Sequence, residues 1–211
     1  MSDTPIDVFI DLPSFPGPVQ AGRLWSHFRK GRESASFEYN KEWLANPHRF
    51  ALEPLLPLTD GTFHTNPGQS VFGAIGDSTP DRWGRILMRR AELARARTAN
   101  ESPHTLSELD YLLRVNDEAR QGALRFSQDG GQSFCAPPGS TPIPPLVNLS
   151  RLLHAADHFC RDDENAEDLR LLLAPGSSLG GARPKASVKD KKGNLCIAKF
   201  PRYDDEYNVV A

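Results

Sequence analysis

The chain has 211 residues and sets 25 Lys and Arg against 27 Asp and Glu, for a formal net charge of -2. That balance gives no electrostatic footprint for nucleic acid, and a chain of this length with 38% hydrophobic residues can bury a core. Cys135, Cys160 and Cys196 make no C-x-x-C pair and no even disulfide framework, which suits a reducing compartment. The start "MSDTPIDVFIDLPSF" lacks the basic n-region of a signal peptide, and no apolar run reaches the length of a membrane span. The expectation is a soluble cytoplasmic protein with no membrane partner.

Taken in order, "IDVFIDL" alternates Ile6, Val8 and Ile10 with polar positions and predicts a half-buried strand. "VQAGRLWSHF" predicts a second strand, and "SASFEYN" a third with Phe37 and Tyr39 on one face. "FALEPLLPLTDG" is apolar but interrupted by Pro54 and Pro57, so it reads as irregular or edge structure. Together these segments predict a small antiparallel sheet.

Helical periodicity follows. In "STPDRWGRILMRRAELARAR", Thr79 reads as the N-cap, Pro80 as the first helical residue and Asp81 as part of the first turn. Trp83, Ile86 and Leu87 form a buried stripe, and Arg89, Arg90, Arg95 and Arg97 read as its solvated face. "HTLSELDYLLRV" offers a capping box of Thr105 and Glu108, with Leu106, Leu109, Leu112 and Leu113 as the stripe. "QGALRFS" reads as a short strand.

Residues 127–148 are rich in Pro, Gly and Ser and predict a surface connection at a domain boundary. Beyond them, "LSRLLHAADHFC" places Leu149, Leu152, Leu153, Ala156 and Phe159 on one helical face. A further helix, "NAEDLRLLLA", is expected to stop at Pro175 and Gly176. The chain then reads as a loop "PGSSLGGARPK", a strand "ASVKD", a turn "KKGN" and a strand "LCIAKF". His154 and His158 stand four apart on a helix, but no H-E-x-x-H arrangement accompanies them, so no metal site is expected.

The glycine loop is the candidate for chemistry. Gly176 and Gly181 have the separation of a Walker A loop, but Ala182 stands where its lysine belongs and a strand follows instead of a helix. No G-x-G-x-x-G opens a helix either. A protein-kinase small lobe fits better, since there a glycine loop beside an antiparallel sheet covers the nucleotide phosphates and a strand lysine pairs with them. Lys199 sits on a strand that reads as apolar on both faces, where a lysine is costly unless an anion meets it. On pattern alone two readings stay open: a phosphate cradle, or a turn before a hairpin with a lysine that snorkels to water.

"SSLGGARPKASV…LCIAKFP" resembles the glycine-loop region of the HipA-like serine/threonine kinases, the toxins of type II toxin–antitoxin modules. "GRLWSHFRKGRESASFEYNKEWL", "GDSTPDRWGRILMRR" and "LDYLLRVNDEARQGALRF" resemble upstream segments of that family in the same order. The resemblance implies an α+β chain. Residues 1–130 would form an N-terminal accessory subdomain, 131–148 a connection, and 149–211 the start of a kinase small lobe. It further implies that Gly180, Gly181, Ala182, Lys185 and Lys199 bind the phosphates of ATP, with Mg2+ as the companion ion. Ser178, with Ser177 as its neighbour, matches the loop serine that family members phosphorylate on themselves. Added charge there would repel ATP phosphates from the loop.

Partners implied in the same way are a DNA-binding antitoxin, through which any nucleic-acid contact would run, and a target protein, commonly an aminoacyl-tRNA synthetase. The catalytic-loop Asp and Asn and the metal-binding Asp are expected C-terminal to Ala211, in the kinase's larger lobe, so these 211 residues by themselves are expected to be inactive. Glu206 reads either as the carboxylate partner of Lys199 or as the tip of a solvated loop. The alternative function is a non-catalytic regulatory module of a split toxin–antitoxin system.

Overall fold

A computed structural model describes residues 5–135, 143–176, 181, 183–202 and 204–206. It shows a mixed α+β chain, as the sequence leads one to expect, in two compact units. The first comprises Met1–Thr79, Ser107–Leu113 and Gln121–Cys135, and the second Pro80–Leu106, Arg114–Arg120 and Ala136–Ala211.

The first unit is built on a five-stranded antiparallel sheet. Its strands are β1 (Ile6–Ile10), β2 (Val19–Arg29), β3 (Arg32–Tyr39), β4 (Thr62–His64) and β5 (Leu124–Ser127), in the order β4-β3-β2-β1-β5. Alternation along each strand sends Ile6, Val8, Ile10, Leu24, Phe37, Tyr39 and Phe126 to one buried face. Trp43 from the short helix α1 (Lys41–Ala45), together with Leu56, Phe72 and Leu112, completes that core. A bulge shifts the β1–β2 register between Val8 and Phe9.

The segment cut by Pro54 and Pro57 is irregular, as its prolines predict, and Tyr39 holds it down. The Tyr39 hydroxyl donates to the Leu56 carbonyl at 2.8 Å and accepts from the Leu52 amide at 2.9 Å. Burial raises its pKa. A short turn of helix, α2 (Gly73–Gly76), follows; the Ala74 amide there donates to Glu53 at 2.7 Å.

The second unit packs α3 (Arg82–Ala99), α5 (Leu149–Cys160) and α6 (Ala166–Gly176) with a hairpin of β6 (Lys185–Lys189) and β7 (Leu195–Lys199). Its core is Trp83, Leu87, Leu152, Ala155, Ala156, Phe159, Leu169, Leu172, Ala186, Val188 and Phe200. The α4 helix (Glu108–Arg114) carries Leu109, Leu112 and Leu113 to the first core.

Several local readings of the sequence are corrected. The N-cap of α3 is Asp81, not Thr79: Asp81 is extended and accepts from the Arg82 amide at 2.6 Å, whereas the Thr79 hydroxyl donates back to the Gly76 carbonyl. Pro80 therefore precedes the helix instead of opening it. The capping box of α4 is Ser107 with Asp110, each accepting from the other's backbone N–H, in place of Thr105 with Glu108.

On α5 the buried face is Leu152, Ala155, Ala156 and Phe159, and Leu149 and Leu153 are exposed. The helix α6 continues through Pro175 and ends at Gly176. Arg90 does not belong to a solvated face. Its guanidinium lies 4.1 Å from the Phe159 ring centroid and pairs with Asp162 and Glu164.

Candidate glycine-loop site

The candidate site lies in the second unit, where the start of α3 meets the hairpin. Of the residues singled out in the loop, Gly181, Lys185 and Lys199 are placed, and Ser177, Ser178, Gly180 and Ala182 lie outside the described residues. The hairpin forms where its turn signal predicts. Asp190 and Asn194 close the turn, and Gly193 takes the positive φ that glycine adopts without strain.

Antiparallel register puts Lys185 directly opposite Lys199. Directly opposed side chains in a ladder stand about 5 Å apart at Cβ, and like charges there are destabilising. The pair therefore makes a concentrated cationic spot that an anion would relieve. Burial lowers the pKa of the Lys185 ammonium and Lys199 adds to that fall, while Asp81 pulls in the opposite direction.

Gly181 is the backbone element of the site. Its φ is +83°, and a Cβ at this position would stand 2.8 Å from Lys185 Nζ, so the lysine end occupies the space a side chain would need. The Gly181 amide donates to Asp81, and its carbonyl accepts from the Trp83 amide at 3.1 Å. The Trp83 indole Nε1–H donates to the Lys185 carbonyl at 2.9 Å. The Gly181 and Arg82 amides hold the Asp81 carboxyl below the usual carboxylate range.

The strand of Lys199 is not apolar and buried on both faces, contrary to expectation. Ala198 and Cys196 are partly buried and Phe200 is buried, but Leu195 is 48% and Ile197 55% exposed, and Lys199 shares their open face. The exposure is confined to β7, the outer strand: Ser187, opposite Ile197 on β6, is buried. A desolvation argument for Lys199 thus falls away, and its position opposite Lys185 takes its place. Glu206 is exposed beyond the hairpin.

The arrangement can receive an anion. Lys185 and Lys199 supply the positive charge, while the Gly181 and Arg82 amides at the start of α3 already donate to the Asp81 carboxylate. Sequence reasoning missed Asp81 and Trp83 as members of the site. The only signal was their place in "PDRWG", which reads locally as a helix start.

A second groove in this unit, of about 320 Å³, is lined by Arg90, Arg97, Asp162 and Glu164 among others. There Arg90 is already neutralised by the two carboxylates. No group of metal-ligating side chains occurs among the described residues. His158 instead bonds Asp168 at 3.0 Å. No helix among the described residues is long and apolar enough to cross a membrane.

A family model described as the HipA N-terminal domain matches residues 17–127, more than half of the chain. A search of curated proteins finds no match.

Proposed function

The chain belongs to the family of the HipA N-terminal domain, and from that premise we propose that it is the nucleotide-anchoring part of a HipA-like serine/threonine kinase acting as the toxin of a toxin–antitoxin pair. The observation that carries the reading is the facing pair Lys185 and Lys199 beside Gly181. In this reading Lys185, Lys199 and the backbone around Gly181 hold the phosphates of ATP with Mg2+. The family resemblance would assign Gly180 and Ala182, which lie outside the described residues, to the same role, and phosphorylation of Ser178 would disable it.

ATP supplies the phosphoryl group when bound, and this chain's residues bind and orient it. The catalytic-loop Asp and Asn and the metal-binding Asp fall to the kinase's larger lobe. A DNA-binding antitoxin and a target such as an aminoacyl-tRNA synthetase would be its partners.

Calorimetric titration of the chain with MgATP tests the reading. Wild type should bind, and Lys199→Ala should weaken binding by about tenfold, the loss of one charge-assisted contact. Because Lys199 is exposed, the circular dichroism spectrum should not change. Undiminished binding by Lys199→Ala would remove that residue from the site. No binding by wild type would favour the regulatory-module alternative.

A further inference from the structure

The first turn of α3 grips the glycine segment at both of its described ends. Asp81 lays one carboxylate oxygen on the Arg82 amide at 2.6 Å and the other on the Gly181 amide. Trp83 reaches the same segment twice, through its backbone N–H to the Gly181 carbonyl at 3.1 Å and through its indole N–H to the Lys185 carbonyl at 2.9 Å. The indole itself is fixed, being buried and edge-on to Phe159 at 5.0 Å between centroids. A rigid helix start thus holds residues that are about a hundred positions away in sequence.

This matters because glycine at positive φ is otherwise free to move. A backbone that binds an anion must have its donors fixed before the ligand arrives, or binding has to order them. Asp81 has two physically separable properties here. As a hydrogen-bond acceptor it ties Gly181 to α3; as a negative charge near Lys185 it disfavours a second anion. Whether the tie or the charge dominates decides the sign of its effect on ligand binding. Both Asp81 oxygens rest on backbone amides, and Trp83 makes two further bonds to the same segment.

We propose that Asp81 and Trp83 are positioning residues of the glycine loop, holding Gly181 and Lys185 where Lys185 faces Lys199. The proposal rests on the phosphate-binding reading given above. It makes α3, a helix within the span of the HipA N-terminal domain, an integral support of the anion site.

The test measures MgATP affinity and amide hydrogen exchange for wild type, Asp81→Ala, Asp81→Asn and Trp83→Phe in the whole chain. Asp81→Ala should weaken binding by about tenfold and speed exchange at Gly181 by a similar factor. Asp81→Asn, which keeps an acceptor and a capping side chain but drops the charge, should restore slow exchange and bind at least as well as wild type. Trp83→Phe keeps the ring against Phe159 and loses only the indole donor, so its binding should weaken by a few-fold, roughly.

A general loss of stability would affect exchange throughout the unit and would not be reversed selectively at Gly181 by Asn. Binding by Asp81→Ala that equals or exceeds wild type overturns the proposal and makes Asp81 a competing internal anion, while leaving the phosphate site in place. Failure of wild type itself to bind overturns the phosphate reading and this proposal with it.

Discussion

Glu92 shows how far one residue can organise its surroundings. Its side chain is 3% exposed, yet it is ionised and fully engaged: Arg95 reaches it at 2.8 Å, Arg114 at 3.4 Å, and the His104 amide at 3.2 Å. Within the second unit it thereby fastens α3 to the irregular segment around His104 and to Arg114 at the end of α4. These partners, Arg95 first, lower its pKa from 4.5 to about 2. A depressed folded-state pKa contributes stability that is complete above pH 4.5 and is lost as pH falls towards 2. Glu92→Gln keeps the volume and removes the charge. It should cost about 1–3 kcal/mol at neutral pH, since both arginines remain partly solvated. Urea unfolding between pH 2.5 and 7 checks this: the variant should lose much of the acid-side slope, and an unchanged slope would show that Glu92 does not carry it.

At the scale of elements, the contact between α5 and α6 is pH-sensitive. His158 on α5 bonds Asp168 on α6, and that bond, assisted by Asp163 and Asp157, raises the histidine pKa above 6.5. A raised folded-state pKa contributes stability that is fully present below 6.5 and disappears as pH rises through the folded value. Asp168 also accepts from the Asn165 amide at the start of α6, so the same carboxylate serves as cap and ion partner. The melting temperature of wild type should therefore decline between pH 6 and 8, and His158→Gln should flatten that decline. An identical decline in the variant would assign it to other groups.

For the whole molecule, the grouping of α3 is the informative fact. It lies within the residues matched by the HipA N-terminal domain, yet Trp83 and Leu87 belong to the core of the second unit, with Leu152, Phe159 and Leu172. Elements that share a core should open together. Leu172→Ala removes a fully buried side chain from that core, at a cost of about 2–5 kcal/mol. Hydrogen exchange should then quicken in α3, α5, α6 and the hairpin, with β1, β2 and β3 far less affected. Equal acceleration in the five-stranded sheet would mean that the chain unfolds as one cooperative body.

The sequence by itself determined whatever is written in short-range pattern. The strands β1 to β3, the 3.6-residue stripe of α3, the proline-broken segment after α1 and the Gly193 turn could all be read without coordinates, because each depends on neighbours a few residues apart. The order of shared motifs likewise pointed to the family. Tertiary structure alone decided which polar groups became partners over long separations. It made Asp81 the cap because its carboxylate also serves Gly181, whereas local rules favoured Thr79. It made Arg90 an internal cation because Phe159 and two acidic residues close over it. It opened one face of β7, the outer strand, and it set Lys185 opposite Lys199 through hairpin register. Hydrogen bonds and charges act over a few ångströms of space whatever the distance along the chain, so no local window of sequence contains them.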